Sequence, residues 1–523
     1  MVHPLHGIHE LLLQGRSPHA DLGLVFLLLV CPLLLLLVVR SLATPSTAVA
    51  TARAREELLS RLPSPSSRLP VVGHLHLVGP LPHVSLRDLA AKHGRDGLML
   101  LRLGAVPTLI VTSPSAAQAV LRTHDHVFAS RAYSPVTDIL FYGSTDVAFC
   151  PYGEHWRQVK KIATTHLLTN KKVRSYRHAR ENEVRLVVAK IREAATTGAA
   201  VDLSDLLNAF TNDIVCHAVA GKSFRKQGHN KLFRELVEAN SSLIGGFNLE
   251  DYFPVLVKLD FIKRMVCAKA QKVNKMWDEL LNAHRCGDDS DFIDVLLSIQ
   301  QEYNLTRDHI KAQLEIMFEA GTDTSFIVLE YAMVRLMQKP HLMNKLKNEV
   351  RSTISKGKDM IAEDDLSSLA YLKAVIKETL RLHMPAPLLV PHLSMADCKI
   401  NGYTIPSGTR AIVNSWALAR DPSSWESAEE FMPERFMEGG SAATMDYKGI
   451  DFPYLPFGTG RRICPGINFA IVTIEIMLAN LMYHFDWKLP SESMEAGISM
   501  TESFGVTVHR KEKLLLVPVV PEG

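Results

Sequence analysis

Apolar residues recur at helical spacing over most of the chain. This predicts helices over Glu154–Leu167, Val173–Ala195, Leu203–Ala220 and Lys231–Leu243. A longer run of the same kind extends to Gln338 from Thr306, a residue suited to capping a helix start. Pro340 closes it, because a residue before proline avoids the helical region. Further helices are expected over Leu372–His383, stopped by Met384-Pro385, and over Ile467–Tyr483. Strand patterns are fewer. Met99–Leu103 and Thr108–Val111, divided by Gly104, predict a hairpin, followed by a helix from Pro114 to Arg122 with Ser113 as N-cap. Val506–His509 and Leu514–Val519 predict short strands near the end. The expected class is mainly α with a minor β part.

One segment breaks this pattern. Leu22 to Val39 is apolar without interruption by charge, at the lower limit for a membrane-spanning helix, with Pro32 inside it. A cleaved signal core is the rival reading, but such cores are shorter. Arg40, Arg53, Arg55, Arg61 and Arg68 follow the run, against Arg16 before it, so the larger C-terminal part is expected on the cytosolic side. Leu62 to Pro70 is rich in proline and serine, and is expected to be stiff and extended. The predicted organisation is a lumenal segment over 1–21, an anchor over 22–39, a basic and proline-rich hinge over 40–70, and one catalytic body over 71–523.

Composition narrows the chemistry. The balance of 58 basic and 55 acidic residues gives a net charge of +3, which excludes a polycation suited to nucleic acid. Seven cysteines, none in a Cys-x-x-Cys pair, indicate neither a zinc site nor a disulfide framework. Cys464 differs from the rest. It ends the run Phe457-Gly458-Thr459-Gly460-Arg461-Arg462-Ile463-Cys464, and Pro465-Gly466 lead into a predicted helix. The glycines allow a tight turn beside a planar object, and the helix start favours a thiolate. Arg462 adds positive charge. An inert cysteine in a surface turn is the bland alternative.

Three more constellations stand upstream. Glu378 and Arg381 share a helix face, with Pro433-Glu434-Arg435-Phe436 downstream. Ala320-Gly321-Thr322-Asp323-Thr324 lies inside the longest predicted helix, where Gly321 is costly unless space is needed. Thr324 can bond back to the Ala320 carbonyl and loosen the helix there. Trp156 and Lys160 are four residues apart on a helix.

Together, and in this order, these motifs resemble the cytochrome P450 family over essentially the whole chain. The resemblance implies that fold, preceded by an N-terminal transmembrane helix, and haem b with Cys464 as axial iron ligand. It implies a loop around the haem that includes Phe457 and Gly460. It assigns proton delivery to the acid–alcohol pair Asp323 and Thr324. It implies a structural triad of Glu378, Arg381 and Arg435. Trp156, Lys160, His392 and Arg462 fall where the family contacts haem propionates, although arginine is more usual than Lys160. Gly73-His74-Leu75-His76-Leu77, Thr123 to Arg131 and Gly246 to Pro254 further resemble grass enzymes that oxygenate indole and indolinones in benzoxazinoid synthesis. Substrate contacts are then expected from Thr137–Tyr142, Met317, Ala320, Pro387–Val390 and Phe504–Val506.

Two departures stand out: Met384 where proline is usual, and a short segment over Ala283–Asp291. The implied activity is hydroxylation of a small indole-derived heterocycle with O2. Electrons would come from NADPH–cytochrome P450 reductase at the endoplasmic reticulum membrane, with Lys160, Lys161, Lys171, Lys172 and Arg174 as a basic docking patch. The alternatives are a broad xenobiotic or herbicide hydroxylase and a reductase-independent haem-thiolate isomerase or dehydratase.

Overall fold

The computed structural model describes residues 46–223, 229–245, 248–253, 261–283, 291–354, 357–491 and 497–521. The expected lumenal segment over 1–21 and anchor over 22–39 lie outside the described residues, as do residues 284–290 of the short segment. The chain divides between Arg61 and Leu62 into two compact units. In the first, Ser46–Ser60 is a helix.

The second unit begins inside the stretch expected as a hinge. The Pro63 carbonyl accepts a hydrogen bond from the Leu100 amide at 2.7 Å, and Leu69 and Gly73 exchange a backbone pair at 3.0 Å. The Pro65 carbonyl lies 3.2 Å from His74 Nε2. Pro63 is thus bonded to the first strand, and Pro65 and Leu69 to the turn at Gly73-His74, because proline still offers a carbonyl acceptor.

The fold is mainly helical with small sheets. Leu98–Leu103 and Val106–Val111 form the expected hairpin, with Leu100 opposite Leu109. Val106–Val111 also pairs in parallel with Arg410–Val413, which in turn pairs with His392–Leu393. This four-stranded sheet gathers residues some 300 positions apart in sequence, and no local pattern announces it.

Helix Leu203–Ala220 matches its predicted bounds. Asp202 caps its start by accepting from the Asp205 amide at 2.9 Å, and Gly221 ends it in the left-handed conformation. Helix Arg307–Gln338 is capped by Thr306 and His309 in a reciprocal pair, and it ends before Pro340 as expected. These two helices pack along one another at the centre of the core. Gly321 has its reason here. A Cβ at that position would come within 2.9 Å of Val215 Cγ2 on the neighbouring helix.

Three predicted helices differ in detail, the first being Pro114 to Arg122, which is α over Pro114–Gln118 and a π turn over Ala119–Thr123. Glu154–Ile162 widens into a π turn over Ala163–Leu167. The segment expected as Val173–Ala195 is split at Tyr176 into Asn170–Ser175 and Arg177–Thr197. Helix Ile467–His484 is the one described helix long and apolar enough to cross a membrane, but it packs inside the core.

Candidate active site

The loop of Cys464 is built by backbone geometry. Gly458 and Gly460 hold φ of +67° and +69°, where a side chain is strained. A Cβ at Gly460 would also meet the Leu121 carbonyl oxygen at 2.5 Å. Asp125 clamps the next residue, accepting from the Arg461 amide at 3.1 Å and pairing with its guanidinium. The loop closes when the Cys464 amide donates to the Phe457 carbonyl at 3.0 Å. Helix Ile467–His484 starts three residues later.

The sulfur faces a cavity of about 1570 Å³, mouth included. Its apolar wall comes from Met317, Ala320 and Val328 of the long helix, with Leu389 and Val390 opposite. Burial pushes the Cys464 thiol above its usual pKa, opposed by the Gly466 amide, which donates to Sγ at 3.4 Å, and by the charge of Lys160.

One end of the cavity is strongly cationic. Lys160 Nζ donates to the Ile463 carbonyl at 2.7 Å, beside the cysteine. The Arg462 guanidinium stacks 4.3 Å from the Trp156 ring and donates to the Ala129 and Cys150 carbonyls at 2.7 and 2.6 Å. Trp156 Nε1 donates to Val147. His392 Nδ1 is 2.7 Å from the Phe128 carbonyl, so that nitrogen carries the proton. Burial holds His392 well below its usual pKa, and Arg131 reinforces the effect. Burial likewise pulls Arg462 down to about 10.

Arg131 completes the group, donating to Val390 at 2.6 Å and Pro391 at 3.0 Å. Sequence reasoning did not single it out. Its one signal was a charged residue closing the otherwise small and apolar run Val127-Phe128-Ala129-Ser130. Among the described residues, Arg131, Lys160 and Arg462 line the cavity and no aspartate or glutamate does. The buried Asp146 behind them offsets the charge of Arg131 and Arg462 only in part, and buried cations in excess of carboxylates are costly. The cavity therefore fits a flat apolar cofactor carrying its own carboxylates at this end, with the thiol facing it.

Lys160, half-buried here, is not part of an exposed basic patch, and its pKa is lowered by that burial. Lys161, Lys171 and Arg174 remain exposed.

The two proposed proton carriers face different ways. Thr324 lines the cavity and donates to the Ala320 carbonyl at 2.8 Å, as its spacing predicted, while the helix continues unbroken. Asp323 is absent from the cavity wall. Its Oδ2 accepts from Thr507 Oγ1 and lies 3.1 Å from His509 Nε2. Ser241 Oγ is 2.7 Å from the same Thr507 hydroxyl. Burial opposes charge on His509, but Asp323 overcomes it and raises the His509 pKa above its usual value.

A second hollow of about 880 Å³, mouth included, adjoins the first and shares Arg131, Leu389 and Val390 with it. Thr137, Pro387, Phe504 and Val506 line this outer hollow, whereas Met317 and Ala320 line the inner cavity. The expected substrate segments are thus divided between two spaces.

Known proteins resemble this chain in sequence and fold. The family profile of Cytochrome P450 matches residues 63–517. The chain is 54% identical to a "3-hydroxyindolin-2-one monooxygenase" of Zea mays, with 94% of each chain covered. It is 52% identical to the "indole-2-monooxygenase" of Zea mays, with 98% of each covered. It is 54% identical to the "Indolin-2-one monooxygenase" of Zea mays, with 97% of this chain and 96% of that one covered. A zebra fish cytochrome P450 solved with abiraterone superposes with a TM-score of 0.71 at 24% identity, covering 85% of this chain and all of that one. With its thiol, its cationic end and its helical fold accounted for, the chain belongs to the cytochrome P450 family of haem-thiolate enzymes.

Proposed function

We propose that this chain is a monooxygenase that hydroxylates a small indole-derived heterocycle, and that Cys464 would hold the iron of haem b. The carrying observation is the cavity in which that thiol faces an apolar chamber with a cationic, acid-free end. The named activities of the Zea mays relatives support the substrate class. Arg131, Trp156, Lys160, His392 and Arg462 would hold the haem carboxylates, while Phe457 and Gly460 shape the loop beneath. Bound haem supplies the activation of O2 and the insertion of one oxygen atom.

The protein's own part is positioning and proton supply. Thr324 Oγ1 lines the cavity wall and would donate there on turning from its 2.8 Å bond to the Ala320 carbonyl. Asp323 Oδ2 accepts from Thr507 Oγ1 and lies 3.1 Å from His509 Nε2, whose side chain is 20% exposed, so a proton entering at His509 can pass to Asp323. Transfer from Asp323 to Thr324 needs a bridging water or a turn of the Asp323 side chain, because adjacent residues on a helix point about 100° apart. Turnover of indole, indolin-2-one and 3-hydroxyindolin-2-one with reductase and NADPH, read by product mass, tests this function. Absence of any oxygenated product from all three would remove the substrate class.

Thr324→Ala is expected to keep haem and substrate binding but to lower product per NADPH by about 10²-fold, the lower end of what a positioned proton donor contributes. Peroxide should rise in step. An unchanged product-to-NADPH ratio would make Thr324 a packing residue.

The electron donor in this reading is NADPH–cytochrome P450 reductase. The apolar run from Leu22 to Val39 anchors the chain in the endoplasmic reticulum membrane, with the catalytic body in the cytosol. A chain starting at Arg53 should keep its thiolate spectrum but partition less into carbonate-washed membranes. Its reductase-supported turnover should also fall, because the partners no longer share one surface. Complete loss of haem binding would place the N-terminal segment inside the catalytic fold.

A further inference from the structure

The Thr507 hydroxyl has one proton to give and three polar neighbours. It donates to Asp323 Oδ2, and it lies 2.7 Å from Ser241 Oγ and 3.1 Å from His509 Nε2. Ser241, Asp323 and Thr507 are all buried. An ionised carboxylate only accepts, so the Thr507 proton points at Asp323. Ser241 must then donate to Thr507, and its own oxygen accepts from the Thr507 amide at 3.4 Å. His509 faces Thr507 Oγ1 and Asp323 Oδ2 with its proton on Nε2, 3.1 Å from each. The bonds therefore run one way, from Ser241 through Thr507 to Asp323.

Close backbone contact holds this meeting point. Thr507 lies in the turn between strands Glu502–Phe504 and Val508–Arg510, and Ser241 in the last turns of helix His229–Gly245. The Val506 amide donates to the Ser241 carbonyl at 2.9 Å. A Cβ at Gly245 would strike the Val506 nitrogen, and one at Gly505 would come within 2.6 Å of Ser241 Oγ. Only glycine allows so near an approach at these two positions. Asp323 and Glu330 of the long helix and Glu238 of helix His229–Gly245 all favour the charged form of His509, Asp323 most strongly. Glu330 is shared with Ser204 and with Arg510 Nη1 at 3.5 Å.

We infer that Thr507 and Ser241 are positioning residues for proton supply: the Thr507 hydroxyl holds the Asp323 carboxylate against His509, and Ser241 keeps that hydroxyl's proton aimed at Asp323. The inference rests on the proton route proposed above and names the two residues that keep it assembled. Without the hydroxyl, Asp323 Oδ2 would face a methyl group in a buried space. The carboxylate would then turn to other donors or take up a proton itself. Either change removes negative charge from beside His509, which then holds its proton less tightly.

The test follows exchange of the His509 C2 hydrogen in D2O across pH, read by peptide mass on the haem-loaded full chain. The exchange rate changes with ring protonation, so its midpoint reports the proton affinity of His509 without any turnover. Thr507→Val should lower that affinity about tenfold, the effect of one hydrogen bond to a charged group. Ser241→Ala should lower it by a smaller factor, and Thr507→Ser should restore it. Product per NADPH should fall in the same order. An unmoved His509 midpoint in Thr507→Val, or a fall that Thr507→Ser does not restore, would overturn the inference. So would a moved midpoint with an unchanged product-to-NADPH ratio, because supply would not depend on the pair. If Thr507→Val fails to load haem, Ser241→Ala decides by the same two readings. A wild type that oxygenates none of the indole-type compounds would remove the proposed substrate class and leave the His509 midpoints to decide the positioning alone.

Discussion

Cys464→Ser is expected to abolish the thiolate-type absorption of the reduced carbon-monoxide complex, while Cys398→Ser leaves it intact. The two cysteines differ in what surrounds them. Cys398 stands on the strand Cys398–Ile400, outside the cavity wall, and burial followed by Asp397 pushes its thiol up to about 11. Nothing there favours the charged sulfur. The half-buried Cys464 is pushed up by burial too, but the Gly466 amide and Lys160 both act against the upward shift. A metal ligand must be deprotonated, so these two groups lower the cost of ligation before iron contributes its own charge. A serine hydroxyl retains the hydrogen bond and the volume but not the thiolate. Retention of the wild-type spectrum in Cys464→Ser would remove Cys464 from the site.

What the sequence disclosed follows from the range of the forces involved. The loop from Phe457 to Gly466 was legible because its geometry is local: two glycines, one cysteine and a helix start within ten residues. The Thr324 bond to Ala320 was legible for the same reason, being fixed by helical spacing. The turning of Asp323 away from the cavity was not read from the sequence, and neither were its partners. Ser241, Thr507 and His509 come from segments far apart in sequence.

The cationic end of the cavity shows the same limit. Trp156, Lys160, His392 and Arg462 were named by resemblance, and the fold brings them together. Arg131 was missed because its surroundings are made by the Ala148 carbonyl and by the turn before His392, which only the fold brings to it. The helix Phe261–Ala283 was missed because lysines interrupt its apolar stripe, and Pro340–Thr353 because its opening proline was read as the end of the preceding helix. Asn240, the first residue of an apparent glycosylation sequon, proves to be 1% exposed and donates its amide to Glu319, a contact invisible to the motif.

The triad of Glu378, Arg381 and Arg435 carries the largest expected effect on stability. Arg381 grips Glu378 with two bonds of 2.8 Å, and Arg435 Nε adds one at 3.1 Å. The remaining Arg381 donors go to the Ala419, Ala428 and Glu430 carbonyls at 2.7, 2.7 and 2.9 Å. Glu378 also accepts from the Met432 amide at 2.8 Å. The group therefore fastens the strap from Ala419 to Arg435 onto helix Ala370–Leu382. Tyr454, just before the cysteine loop, continues the connection. Its hydroxyl donates to the Lys377 carbonyl at 2.9 Å, and its ring packs 5.4 Å from Phe436.

Glu378→Ala leaves two buried guanidinium groups without their carboxylate, at a cost of about 3–5 kcal/mol. That is a large share of the roughly 5–15 kcal/mol that holds a domain folded. The expected result is a marked fall in the urea midpoint of the holoenzyme and loss of the thiolate spectrum as the cysteine loop loosens. Asp359→Ala is the control. It breaks an exposed pair with Arg185, 3.3 Å apart, and should change stability by less than about 1 kcal/mol. Equal small shifts in the two variants would show that the strap is held by packing of Trp425, Phe436 and Tyr454 rather than by the buried charges.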